Sequence, residues 1–425
     1  MRTLIYMLVL AGVLGACSNK ENAMPSQAER NAARSRLAFT CARESDHLPP
    51  LDVQADALFK YAVFLEKRAG SKDFDAAARY YRIAAAHGNY KANHNLQLLV
   101  STGQATSPDA AKETIDLAEQ QITEGIPGGY YDMGHYLERG YGVVKDEKKA
   151  LVFIRKAADM GSPEAQAYIA RMLAPADRAP AIATQMRQCA VSQGYGEAAI
   201  DLGVDLKEKK SYNEAVGALQ AGVKAGNAES AFGLWKGFES QPSNELYYLG
   251  LPSDFERSRR YEVIWKFLND HHGLNPKVPD IDQIVPLPPA KLPPWDGTFQ
   301  WQKEQDAAQP PQKPAETLVT KLAREKNLDP ATGLPVAPAK SAKDGRVPLG
   351  TVARTGQVCP HDGLWTVQRF ADVSCDATRR FRKGETMPQL ALNDPRPIPG
   401  LDWLLGMRKY RSDREWTLKA YIDQA

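Results

Sequence analysis

The alternation of apolar and polar positions changes several times along the chain. Leu4 to Leu14 is an apolar run, broken by Gly12 and softened by Tyr6, with Arg2 before it and Leu14-Gly15-Ala16-Cys17 after it. A positive start, a short apolar core and small residues at a cut mark a secretory signal. The run is too short to cross a bilayer, which takes about 20 apolar residues. The pattern predicts a signal peptide over residues 1–16 and a polar, flexible leash over 17–33. Residues 34–270 read as helical and repetitive, and prolines then dominate 271–308. A linker with one helix, Ala315 to Asn327, occupies 309–346. Over 347–425, short runs separated by Asp-Gly and Lys-Gly turns predict a small β-meander. The expected fold class is mainly α: an α-solenoid, then a proline-rich extended strap, then a small C-terminal β-rich module.

The repeats show in the glycines that end helices. They fall at Gly88, Gly125, Gly161, Gly194 and Gly226, at spacings of 37, 36, 33 and 32 residues. A glycine after the last helical turn can take the left-handed conformation that caps a helix, and such caps at near-constant spacing signal a solenoid. The clearest unit runs from Tyr130-Tyr131-Asp132-Met133-Gly134 through the turn Gly140-Tyr141-Gly142-Val143 to Lys156-Ala157-Ala158-Asp159-Met160-Gly161. A helix, a Gly-x-Gly-Val turn and a second helix ending Lys-Ala-Ala-x-x-Gly resemble the Sel-one-like repeat, a relative of the tetratricopeptide repeat. The resemblance implies stacked helix pairs and a concave groove, since no unit buries its apolar face alone. Tyr80, Tyr81, Tyr130, Tyr131, Tyr136 and Tyr141 are available to core or groove.

A further helix is expected from Asp254 to about Asn269, with Arg257, Arg259, Arg260 and Tyr261 near its start. The proline-rich stretch after it, Val278 to Gly297, cannot be helical throughout, because proline fixes φ and lacks an N–H. Ile281, Ile284, Val285, Leu287, Leu292, Trp295, Phe299 and Trp301 are too apolar for water. A strap laid over the last helices is the expected arrangement; an exposed polyproline ligand is the alternative. The stretch resembles a conserved tail that follows Sel-one-like repeats in Gram-negative lipoproteins.

Arg354-Thr355-Gly356-Gln357-Val358-Cys359-Pro360, then Gly363-Leu364-Trp365, then Phe381-Arg382-Lys383-Gly384-Glu385-Thr386-Met387-Pro388 resemble a module of bacterial toxin–immunity loci. Cys359 and Cys375 lie sixteen apart across the expected hairpin. A disulfide closing such a loop would contribute about 3 kcal/mol, and export favours it; metal ligation by Cys359, His361, Cys375 and Asp376 is the alternative. Cys41 and Cys189 form a possible second pair.

Composition narrows the function. The chain has 425 residues, 25% of them charged, and a net charge of +3, which is no nucleic-acid field. Its five cysteines are Cys17 and an even remainder, consistent with an oxidising compartment. Neither a Gly-x-Ser-x-Gly elbow nor a His-Glu-x-x-His pair nor a phosphate-binding glycine loop is present. His271-His272 reads as a solvated helix end, and Asp280 and Asp282 as turn caps or arginine partners. No catalytic residue, metal or cofactor is expected.

Cys17 directly after Leu-Gly-Ala resembles the lipobox of bacterial lipoproteins, which implies a diacylglycerol on its sulfur. Two or three chains make a stable anchor where one is marginal. Ser18 in the following position points to the inner leaflet of the outer membrane. Lipobox, repeats, strap and terminal module together resemble periplasmic immunity proteins of type VI secretion effectors of the phospholipase D class. The resemblance implies a non-enzymatic, stoichiometric inhibitor of a secreted lipase. Candidate partner-binding anchors are Tyr130, Tyr131, Trp235, Arg257, Arg260, Trp365 and Arg369. A repeat-based scaffold or adaptor lipoprotein in envelope assembly or signalling is the alternative.

Overall fold

The computed structural model describes residues 37–68, 70–336, 347, 349–367, 378–394, 408–412 and 415–422. The signal segment, Cys17, the leash, Arg369 and Cys375 lie outside the described residues. Among the described residues twelve helices follow one another: α1 Val53–Lys67, α2 Phe74–Ala86, α3 Tyr90–Ser101, α4 Ala110–Thr123, α5 Pro127–Arg139, α6 Glu147–Asp159, α7 Pro163–Leu173, α8 Pro180–Ser192, α9 Glu197–Glu208, α10 Tyr212–Lys224, α11 Ala228–Glu239 and α12 Phe255–Asp270. Within each compact unit neighbouring helices pack in sequence, as helix-pair repeats do, so the expected mainly α class holds. Three shorter helices come later: α13 Ile281–Ile284, α14 Gln300–Ala307 and α15 Glu316–Glu325.

The helix ends follow from the sequence. Asp52, Asp73, Asn89, Asp109, Ser162, Asn227 and Asp254 each accept an N–H of the first turn of the following helix, which satisfies donors the helix leaves open. All five periodic glycines have positive φ. At the first, Asn89 N–H donates to Ala84 O and Gly88 N–H to Ala85 O, and the same paired pattern recurs at Gly161, Gly194 and Gly226. These are Schellman caps.

Contacts divide the chain into two compact units. One comprises residues 49–124, 132–150 and 310–425. In it α1 packs on α2, α2 on α3 and α3 on α4, around Leu58, Tyr81, Ile83, Leu96 and Val100. Helix α15 packs on α2 and adds Val319, Leu322 and Ala323 to that core. Arg79 clamps Glu316 with two N–H donors, at 3.3 and 2.6 Å, and Arg82 pairs with Glu113 at 2.7 Å. Tyr80, Tyr81 and Tyr136 are buried, so of the six tyrosines these three serve the core.

The same unit holds the β-rich module. Strands β1 Val352–Arg354, β2 Gly363–Val367, β3 Arg379–Phe381 and β6 Glu415–Tyr421 form an antiparallel sheet in the order β1-β6-β2-β3. β4 Leu390–Asp394 and β5 Arg408–Ser412 form a separate hairpin. Trp365, Val367, Phe381, Met387, Trp416 and Leu418 make the module's core. Cys359 is a free thiol, buried in that core, with its Sγ donating to His361 O at 3.2 Å; Cys375, its expected partner, lies outside the described residues. Burial pushes this thiol up from its ordinary value.

The other unit comprises residues 1–48, 125–131 and 151–309. Helices α7 to α12 pack in sequence, and small residues set their approach. A Cβ at Gly222 would fall 2.7 Å from Ala199 Cβ, and one at Gly237 would meet Leu249 Cδ1 at 2.1 Å. Cys41 and Cys189 are bonded. The segment around Cys41 runs beside α6 to α8: Arg155 Nη2 donates to Ala38 O at 2.8 Å, Gln166 Nε2 to Ala42 O at 3.2 Å, and Glu44 N to Gln193 Oε1 at 2.9 Å. Gly161 makes room for it, since a Cβ there would sit 2.4 Å from Arg43 C.

The proline-rich strap is packed, not offered. Val278, Ile281, Ile284, Val285 and Phe299 are buried with Phe238, Tyr261, Ile264 and Phe267, and Phe267 stacks on Phe299 at 3.9 Å. Fully burying an aliphatic or phenyl side chain contributes about 1.5–3 kcal/mol, so this apolar set is a large favourable term against the cost of ordering the strap. One helical turn, α13, interrupts the extended course. Asp282 accepts from Lys224 and Gln220, and Asp280 from the Gln300 N–H. His271 sits against Phe267 and Trp301.

Candidate partner-binding face

Placing the seven sequence-nominated anchors separates them. Trp365 is wholly buried, because alternation along β2 turns residues 363, 365 and 367 inward; its indole N–H donates to His361 O at 3.2 Å. Arg257 and Arg260 are also buried, at 7% and 6% exposure. Arg260 donates to Ile284 O at 2.7 Å and to Pro293 O at 2.8 Å. Arg257 donates to Pro286 O and Ala290 O. A proline-rich segment presents carbonyls without a matching set of N–H groups, and buried acceptors need donors. These two arginines therefore hold the strap rather than a partner. Tyr130 lies 6.1 Å from Phe153, and it and Tyr131 are half-buried against the cluster of Ile154, Ala165 and Ile169. Arg369 lies outside the described residues.

Trp235 is the anchor that the structure surrounds with like residues. On α11, Phe232 and Trp235 meet edge to face at 5.5 Å. On α12, Trp265 lies 5.4 Å from Trp235 and 6.0 Å from Phe232. Tyr247, from the loop between these helices, closes on Phe232 at 6.0 Å. All four rings are half-buried, and the adjacent Leu246 is 68% exposed. Lys207 donates to the carbonyls of Glu245 and Leu246 and so ties the loop to α9.

The polar groups fix these rings. Lys236 Nζ stands 3.7 Å over the Trp235 ring, a cation–π contact. Glu239 accepts from the Trp235 indole N–H at 2.9 Å, from Lys236 at 3.1 Å and from Ser258 at 3.1 Å. Burial pushes the Glu239 carboxyl up, but the hydrogen bonds from Lys236, Trp235 and Ser258 outweigh it and hold it below the usual range. The result is a pre-ordered aromatic surface, and rigid Trp and Tyr side chains are the residues that dominate binding energy at protein interfaces. Among the described residues, no group of three or more His, Cys, Asp or Glu side chains could hold a metal ion. No described helix is long and apolar enough to cross a membrane.

Helix pairs with Schellman caps at this period define a repeat-built binding protein. The chain carries Sel1 repeats: the Sel1 repeat model matches residues 55–89 and 127–162. A second family, a domain of unknown function (DUF6396), matches residues 230–336; it contains Phe232, Trp235, Tyr247 and Trp265, so the aromatic face falls outside the two matched repeats. The chain is similar to the immunity protein PA5088 from Pseudomonas aeruginosa, with 28% identity over 59% of this chain and 94% of that one, at a TM-score of 0.50. It is also similar to the immunity protein Pa5087 from the same organism, with 30% identity over 59% of this chain and 95% of that one, at a TM-score of 0.48. A comparison with curated proteins found no match.

Sequence reasoning picked Trp235 and missed Phe232, Tyr247 and Trp265. The available signal was the shared aromatic spacing of Phe232-x-x-Trp235 with Trp265 one helix later, which needs the helix pairing to be read. The unit clearest in the sequence lies within the match at 127–162, and the family model finds another at 55–89.

Proposed function

We propose that this protein is an immunity protein that binds a secreted lipase effector, of the phospholipase D class, and blocks it stoichiometrically. Its likeness to the immunity protein PA5088, across 94% of that chain, carries the reading. The Trp235 face supplies the contact surface: fixed rings, an exposed leucine and little conformational entropy left to lose. Export by residues 1–16 and lipidation at Cys17 would hold the inhibitor at the membrane the lipase attacks, raising its effective concentration there. Mature protein would sit in the periplasm, on the inner leaflet of the outer membrane.

The test is survival. Cells deleted for this gene, grown in contact with the parent strain, should be killed. Supplying the chain in trans, or inactivating the parent's secreted lipase, should restore them. Unchanged survival of the deletion strain would sink the reading.

A further inference from the structure

β3 is a terminal strand of the four-stranded sheet. It and the turn after it carry Arg379, Arg380, Arg382 and Lys383, all exposed. None of the four forms an ion pair among the described residues. Strand alternation sends Arg380 to the side opposite Arg379, whose guanidinium lies 5.8 Å from the Trp416 ring centroid. In register, Arg379 faces Trp365 and Arg380 faces Leu364.

The turn is held rigid. Cys359 N–H donates to Glu385 O at 2.7 Å, and Gly384 N–H to Cys359 O at 2.9 Å. The two nearby carboxylates are taken up by the turn's backbone: Glu385 accepts from Arg382 N at 2.9 Å, and Asp362 accepts from Lys383 N. Four cations thus stand on a fixed edge, with local carboxylates cancelling only part of their charge.

We propose that the β3 edge and its turn dock on an anionic lipid bilayer. A protein partner is matched by aromatic anchors, such as the rings around Trp235; among the described residues β3 and its turn expose no aromatic side chain, and their long, separately exposed cations fit a diffuse charged surface. The inference rests on the exported, lipid-anchored reading of the chain. Each Lys or Arg near an anionic membrane raises its partition coefficient roughly fivefold, and salt screens the attraction. Docking here would add a second attachment to the lipid at Cys17, the combination that makes membrane association firm.

The experiment uses the mature chain with Cys17→Ser, so that no lipid contributes. It is sedimented with vesicles of one part phosphatidylglycerol to three parts phosphatidylethanolamine, and with phosphatidylcholine vesicles. We expect binding to the anionic vesicles alone, falling steeply with added salt. Changing Arg379, Arg380, Arg382 and Lys383 to glutamine should lower it by roughly several hundredfold. A control with Lys60, Lys112, Lys145 and Lys313 changed to glutamine should bind as before. Should the fourfold variant misfold, Arg380→Gln with Arg382→Gln gives a smaller loss with the same sign. Equal binding by wild type and variants, or by both vesicle types, overturns the proposal. So does a fourfold variant that keeps vesicle binding but no longer protects against the lipase, which would make the edge a protein contact. Protection by the fourfold variant together with lost vesicle binding supports it and leaves the immunity reading standing.

Discussion

Cys41 is bonded to Cys189, 148 residues further along the chain. The bond pins an extended segment to α8 that would otherwise rest on Phe39 and the side chains of Arg155, Gln166 and Gln193. Closing a loop of that length is worth up to about 5 kcal/mol in the chain-entropy picture. Cys41→Ser should therefore lower the thermal midpoint clearly and increase hydrogen exchange over residues 37–48. Equal midpoints and equal exchange for oxidised wild type and variant would refute this.

Two helix-capping glycines should respond differently to alanine. A methyl group added at Gly88 would meet nothing within 4 Å, whereas one at Gly161 would meet Arg43 C at 2.4 Å. Gly88→Ala should cost about 1–2 kcal/mol, the left-handed penalty alone. Gly161→Ala should cost that and also displace the Cys41 segment. Urea unfolding of both variants checks the order; equal losses would contradict the seating of the segment on Gly161.

Trp235 and Arg260 should separate binding from stability. Trp235→Ala should weaken partner binding by about 2 kcal/mol or more, with a smaller effect on folding, because the ring is only half-buried. Arg260→Ala should destabilise by several kcal/mol, since it strands the carbonyls of Ile284 and Pro293 at roughly 1–3 kcal/mol each. Calorimetric titration with the purified lipase and chemical denaturation read the two effects. A variant at Arg260 that folds normally and loses binding would reverse the assignment.

The start of α12 predicts an acid-sensitive step. Hydrogen bonds from Arg259 and Arg260 hold the Glu256 carboxyl at about 2. A carboxyl lowered on folding adds stability that is present above its unfolded pKa of about 4.3 and is lost as pH falls towards the folded value. Glu256 is mostly exposed, so solvent screening keeps the contribution below about 1 kcal/mol. Glu256→Gln should flatten the stability profile between these two values and leave it unchanged in shape at neutral pH. An unaltered acid limb, followed by tryptophan fluorescence, would exclude the role.

These outcomes bear on what the sequence could disclose. The glycine caps were legible because a positive φ is a local demand with a one-residue signature, repeated at fixed spacing. The strap's burial was legible from Ile281, Ile284, Val285 and Phe299, whose apolar surface has nowhere else to go. The roles of Arg257 and Arg260 were not: clustered cations at a helix start resemble a surface patch until the carbonyls of Ile284, Pro286 and Pro293 are seen over them. Trp365 looked like an anchor, although its place in an alternating strand already pointed inward. The cysteine count left the pairing open; the fold joins the possible second pair, Cys41 and Cys189, whose 148-residue separation gives no local signal. The aromatic face needed tertiary information, because Trp235 and Trp265 belong to different helices and Tyr247 to the loop between them.

The strap also gives the array a defined stop. A stacked helix pair leaves an apolar flank that would accept another pair, from the same chain or from a second molecule. Val278, Ile281 and Phe299 occupy that flank on α12, with Arg257 and Arg260 locking them down. The chain thus carries its own terminator: without the strap, the apolar flank of α12 would lie open to solvent or to another helix pair.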